Sequence, residues 1–153
     1  MQILISPAKS QDFSEQNFTN KFTTPSLLAR SGELIGVLKE MKPSDIGSLM
    51  SISEKLADLN YERFQKFKTP FSTQNAKQAL LSFTGDVYTG FDLASYSEAD
   101  FDFAQNHLNI LSGLYGLVRP LDLIQPYRLE MKTPLKTEKA NNLYEFWDTI
   151  ISE

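Results

Sequence analysis

The chain has 153 residues, enough to bury a core and few enough for one domain, with 41% apolar and 22% charged residues. It has no cysteine, which excludes disulfides, thiolate zinc sites and a thiol nucleophile and matches a reducing cytoplasm. A net charge of −4 argues against a nucleic-acid binder read whole, while leaving room for a local basic cleft. No apolar run approaches a membrane span, and MQILISPAK lacks the basic start and long apolar stretch of a secretory signal.

In chain order, Gln2 to Ile5 reads as a short buried strand. Ser6-Pro7-Ala8-Lys9 follows at once, a common setting for a ligand group at a strand end, with a hydroxyl on Ser6 and a point charge on Lys9. Residues 10 to 24 are polar and carry isolated Phe13, Phe18 and Phe22, a loop pinned by aromatics. Thr24-Pro25 starts a helix whose apolar face (Leu27, Leu28, Leu34, Ile35, Leu38, Met41) runs to about Lys42. Pro43-Ser44-Asp45 starts a short second helix. Ser53 caps a third, with Leu56, Leu59, Phe64 and Phe67 on its face and Tyr61 off the stripe. Thr73 is expected to cap another helix through Ala76, Ala79, Leu80 and Phe83.

Gly85-Asp86-Val87-Tyr88-Thr89-Gly90 reads as a short strand or an extended loop, with Asp86 and Tyr88 as candidate cleft residues. Its glycine spacing is not that of a phosphate loop. Ser97-Glu98-Ala99-Asp100 is a cap with acids in the first turn, followed by a buried face of Phe101, Ala104 and Leu108. The last helix begins near Asn141 or Asn142 and places Leu143, Phe146, Trp147, Ile150 and Ile151 at helical spacing. It ends with no glycine stop and no basic last turn. The sequence therefore reads as the N-terminal portion of a longer chain, with Trp147 partly exposed in a monomer or covered by another chain. The elements sum to α+β: several helices around a small mixed β-sheet. Residues 1–153 form a single domain or part of one.

Between them lies the stretch LSGLYGLVRPLDLIQPYRLEM, Leu111 to Met131. Gly113 and Gly116 permit backbone angles or close approaches that a side chain would block. Pro120 and Pro126 fix φ and remove two N–H donors. Arg119 and Arg128 each sit beside a proline-stiffened turn, where a guanidinium recognises phosphate or carboxylate at little ordering cost. The plain alternative is strand, turn and strand, each arginine paired to Asp122 or Glu130.

This stretch, together with ILISPAKSQDF and FTGDVYTGF in the same order, resembles the three signature blocks of the YaaA family of peroxide-stress proteins. The resemblance covers the whole chain. It implies an unusual mixed fold, incomplete here, and a cytoplasmic DNA-binding protein with a positively charged cleft. It also implies a role in limiting oxidative damage where iron and peroxide meet, and a helix-hairpin-helix element. Leu111 to Gly116 has one residue too many between its glycines for that element, and Pro120 sits where a second helix would propagate.

Two functional readings stand. In the first, Lys9, Arg119 and Arg128 contact the phosphates of double-stranded or structured DNA without reading sequence, and Tyr88, Tyr115 and Tyr127 stack or hydrogen bond at unpaired positions. In the second, Ser6, Lys9, Asp86, Tyr88, Ser112, Tyr115 and Arg128 converge on a small-molecule, nucleotide-like pocket of an enzyme. A third, bland reading has them brace the fold. The residues favour binding over catalysis: His107, the single histidine, sits late in a helix, no Gly-x-Ser-x-Gly elbow is present, and Asp100 and Asp102 do not share a helix face. One histidine and no cysteine give no basis for a transition-metal site, and no cofactor is indicated.

Overall fold

The computed structural model describes residues 2–15 and 18–152, and within these not the side chains of residues 86, 87 and 149–152. In chain order the elements are β1 (Ile3–Ile5), α1 (Leu28–Lys39), α2 (Pro43–Met50), α3 (Glu54–Lys66), β2 (Lys77–Gln78), α4 (Ala79–Ser82), α5 (Asp86–Thr89), α6 (Glu98–His107), β3 (Leu108–Ser112), β4 (Gly116–Val118), β5 (Leu123–Ile124) and α7 (Leu143–Ser152). The fold is α+β, with a three-stranded sheet in the order β1-β3-β4 and a two-stranded pair of β2 with β5. The described residues divide into two compact units.

The first unit comprises residues 1–26, 69–111 and 117–126. β1 runs parallel to β3, with Ile3 opposite Leu108 and Ile5 opposite Ile110. Gln2 pins the start of β1: it donates to the Asn106 carbonyl and accepts from the Asn109 amide, both at 2.8 Å. β1 was expected to be buried, but Ile3 and Leu4 are 49% and 60% exposed. It is the outer strand of its sheet, and an apolar run marks strand propensity there, not burial. Ser97 and Asp100 form a reciprocal capping box at the start of α6, as the sequence suggests. Phe101 on that helix packs with Leu81 and Leu121, and Phe18 covers the cluster from the N-terminal loop.

Two expected elements of this unit differ. The helix from Thr73 is reduced to the single turn α4, because Lys77 and Gln78 pair antiparallel with Ile124 and Leu123 and take up ladder geometry. The segment after Gly85 is not extended but forms the helical turn α5, with the amides of Tyr88 and Thr89 donating to the Gly85 carbonyl. Gly85 enters that turn at φ 109°, a backbone angle that favours glycine.

The second unit comprises residues 27–68, 112–116 and 127–153. α1 and α2 both pack on α3, burying Leu34, Ile35 and Leu38, Ile46, and Ala57 and Phe64 respectively. Ser53 caps α3 by accepting from the Leu56 amide. α1 begins later than Thr24-Pro25 because the chain at Thr23 is held extended in the first unit: its N–H donates to Leu121 and its carbonyl accepts from Leu123. Asn142 caps α7 through its side-chain oxygen, which accepts from the Glu145 amide at 2.8 Å.

Trp147 corrects the expectation of a half-uncovered last helix. It is 1% exposed and Phe146 is 5% exposed; Ile150 and Ile151 fall outside the described side chains. The indole N–H donates to the Gly113 carbonyl at 2.8 Å. The ring lies so close to Gly116 that an added Cβ would come within 2.8 Å of it. The glycine of the signature stretch makes the room that buries the tryptophan.

Candidate functional site

The loop that leaves β1 is held beside the end of α4 by backbone bonds: the Asp12 amide donates to Ser82, and the Thr84 amide donates to Ser10. This register carries Gly85 and α5 against residues 6–10. The Tyr88 hydroxyl donates to the Ser6 carbonyl at 2.7 Å, and its ring packs on Phe83 with centroids 5.3 Å apart. Ser6 and Lys9 are exposed while Tyr88 is buried. Lys9, Gly85 and Tyr88 line a cavity of about 290 Å³. Ser6, Lys9 and Tyr88, from two separate blocks of sequence, thus meet. The backbone of Asp86 is in α5, and its side chain lies outside the described ones.

Arg119 sits on the turn before β5. The turn is closed by the Asp122 carboxylate, which accepts from the Arg119 amide at 2.8 Å and from its guanidinium at 3.4 Å. The same carboxylate accepts from the Thr23 hydroxyl, whose oxygen accepts in turn from the Gln105 amide at 3.1 Å. The Gln105 carbonyl oxygen accepts from the Leu121 amide at 2.7 Å. Asp122 is 1% exposed while the Arg119 side chain is 45% exposed. A buried carboxylate is stable there because each approach to it is met by a donor. The outcome is a guanidinium anchored at one edge and open to solvent at the other. The sequence named Asp122 as a partner of Arg119, but nothing in it signalled Thr23 or Gln105. Both are remote in the chain and ordinary in type.

Ser112, Tyr115, Tyr127 and Arg128 belong to the second unit. The Ser112 and Tyr127 hydroxyls share a hydrogen bond at 2.8 Å, and the Tyr115 amide donates to the Ser112 oxygen at 3.1 Å. The two tyrosine rings meet edge to face at 5.1 Å. Ser112, Tyr115 and Tyr127 are at most 3% exposed, so the Ser112 and Tyr127 hydroxyls and the two rings are engaged inside the protein. Burial pushes the Tyr127 hydroxyl pKa well above the ordinary tyrosine value, against a smaller opposing effect from Ser112. Arg128 pairs with Glu130 at 3.5 Å, and Lys132 approaches the other Glu130 oxygen at the same distance. The Arg128 side chain is 20% exposed, and its buried Nε has no hydrogen-bond partner among the described residues.

A family model described as peroxide stress protein YaaA matches residues 1–153. The chain belongs to that family. The description is consistent with protection against hydrogen peroxide. The match spans all three blocks, including the Ser6, Lys9 and Tyr88 corner and the Arg119 turn.

His107 has a local role. Its Nδ1 lies 3.1 Å from the Phe103 carbonyl, and its ring stacks on Phe103 at 4.1 Å. Among the described residues no three His, Asp or Glu side chains form a group able to hold a metal ion, and no helix is long and apolar enough to cross a membrane.

Proposed function

We propose that this peroxide stress protein binds double-stranded or structured DNA through phosphate contacts that do not read base sequence. The observation that carries the reading is Arg119: one guanidinium nitrogen lies 3.4 Å from the buried Asp122 carboxylate, while the side chain is 45% exposed. A planar fork already oriented by one partner has less rotamer freedom to lose on binding a phosphate oxygen pair. Lys9, exposed on the loop after β1, is a second contact. Arg128 is a third and weaker one, because Glu130 already occupies part of it. With a net charge of −4, attraction must come from such local sites and be sensitive to salt. A cytoplasmic location and a limit on free iron belong to the same proposal.

The test is titration of duplex DNA at several salt concentrations, with thermal melting alongside. Arg119→Ala is expected to weaken binding alike for all sequences and to flatten the salt dependence by about one unit of slope. Arg119→Lys should recover part of the loss, since an ammonium keeps the charge but not the fork. Arg128→Ala should show the same pattern more weakly. Unchanged affinity and slope with a lowered melting temperature would overturn the assignment and leave Arg119 as a brace.

A second reading, an enzyme with a small-molecule pocket, draws on one observation: Lys9 and Tyr88 line the cavity beside Gly85, and the Tyr88 hydroxyl is held by the Ser6 carbonyl. Competition by free mononucleotides separates the two. Displacement of DNA by a mononucleotide at low concentration favours the pocket.

A further inference from the structure

Lys77, in β2, is 9% exposed. Its ammonium donates to the backbone carbonyls of Asp12 and Ser14, each at 2.8 Å. Both acceptors are neutral, and among the described residues no carboxylate stands within ion-pair distance of it. Buried charges are ordinarily neutralised by a partner. An ammonium has three N–H donors, and the third has no protein acceptor among the described residues. Burial pushes the Lys77 pKa down, opposed by the field of Asp12.

Lys77 also lines a cavity of about 480 Å³. Phe13 and Phe22 give it an apolar wall, and Phe22 is 48% exposed. Asn20 and Thr73, also in the lining, spend no side-chain hydrogen bond elsewhere among the described residues. We propose that this cavity binds a small organic monocarboxylate, one carboxylate oxygen accepting the third N–H of Lys77 and the apolar body lying against Phe13 and Phe22. A single ammonium suits one negative charge. Glu15 lines the same cavity and disfavours a dianion such as phosphate. Asn20 and Thr73 offer donors to the second carboxylate oxygen. The assignment is independent of the DNA reading, since it uses none of Lys9, Arg119 or Arg128.

The experiment is an amide NMR titration of the whole chain with sodium benzoate, sodium acetate and inorganic phosphate. Benzoate is expected to give saturable shifts at residues 13–15, 19–22 and 73–78, with acetate and phosphate weaker. Asn20→Asp sets a carboxylate in the lining without touching Lys77 or its two carbonyl bonds. It should weaken benzoate at least about tenfold with the melting temperature unchanged. Lys77→Met should abolish binding; if that variant does not fold, Thr73→Glu joins Asn20→Asp as the deciding pair. Absence of saturable shifts, phosphate binding tighter than benzoate, or full affinity in the lining variants would overturn the proposal and leave Lys77 as a clamp on the loop from Asp12 to Ser14.

Discussion

One stretch, Leu111 to Met131, builds two turns by opposite means. Around Arg119 the chain is shaped by polar bonds: a buried carboxylate collects an amide, a guanidinium and a hydroxyl, and the charged tip remains open. Around Gly113 it is shaped by the absence of a side chain. A Cβ there would lie 2.1 Å from the Leu129 carbonyl oxygen, so the backbone of residues 129 and 130 occupies the space a side chain would need. The hydroxyls nearby are turned inward. The first turn leaves its chemistry outside; the second uses its chemistry to hold itself. That is why Arg119, more than Tyr115 or Tyr127, is the group to test for an external ligand.

The contrast is broken most severely at the glycine. Gly113→Ala forces backbone apart and should cost more than about 3 kcal/mol, or prevent folding. Gly36→Ala is the control: its Cβ meets nothing within 4 Å, so it should stabilise α1 by about 0.5–1 kcal/mol. Urea denaturation of both measures the difference. Equal effects would remove the steric account.

The polar turn should break less sharply. Asp122→Ala leaves the Arg119 amide and the Thr23 hydroxyl without their acceptor, and about 2–4 kcal/mol of stability should go. Arg119→Ala removes only the half-exposed partner and should cost less than about 1 kcal/mol. A large loss from Arg119→Ala in the same denaturation series would make the guanidinium a structural element.

At Tyr127 the expected effect is small and changes with pH. Its folded pKa is raised by burial, so its stabilising contribution is complete below the ordinary tyrosine pKa of about 10 and is lost as pH rises above that. Tyr127→Phe should cost about 1 kcal/mol at pH 7, through the lost bond to Ser112. That deficit should shrink above pH 10, as the wild type alone loses stability. Denaturation midpoints of both proteins from pH 8 to 11 check the sign. A gap that stays constant across this range would mean that the hydroxyl is not held in the core.

What could be read in the sequence follows from how local its cause is. Ser53, Ser97 with Asp100, and Pro43 act within one helical turn, and their helices begin where those residues indicate. The need for glycine at positions 113 and 116 was legible too, since few other reasons place two glycines in an apolar stretch. What was not legible depends on partners far away in sequence. The helix expected after Thr73 gave way to β2 because β5 lies opposite. Trp147 is buried because Gly113 and Gly116 receive it. At the candidate site, the pairing of Arg119 with Asp122 spans three residues and could be anticipated. Thr23, Gln105 and Lys77 act across the fold, with nothing in their own neighbourhoods to mark them.

The bond between Thr23 and Asp122 joins residues 99 positions apart, and it has a consequence for synthesis. As the chain leaves the ribosome, α1, α2 and α3 have their mutual partners at hand and can pack early. The first 26 residues must wait, because β1 needs β3 and Thr23 needs the turn at Asp122. Chain elongation is slow compared with helix formation. The N-terminal segment is therefore a late arrival to its own unit, carrying the apolar residues of β1 unpaired until β3 and the turn at Asp122 have been made.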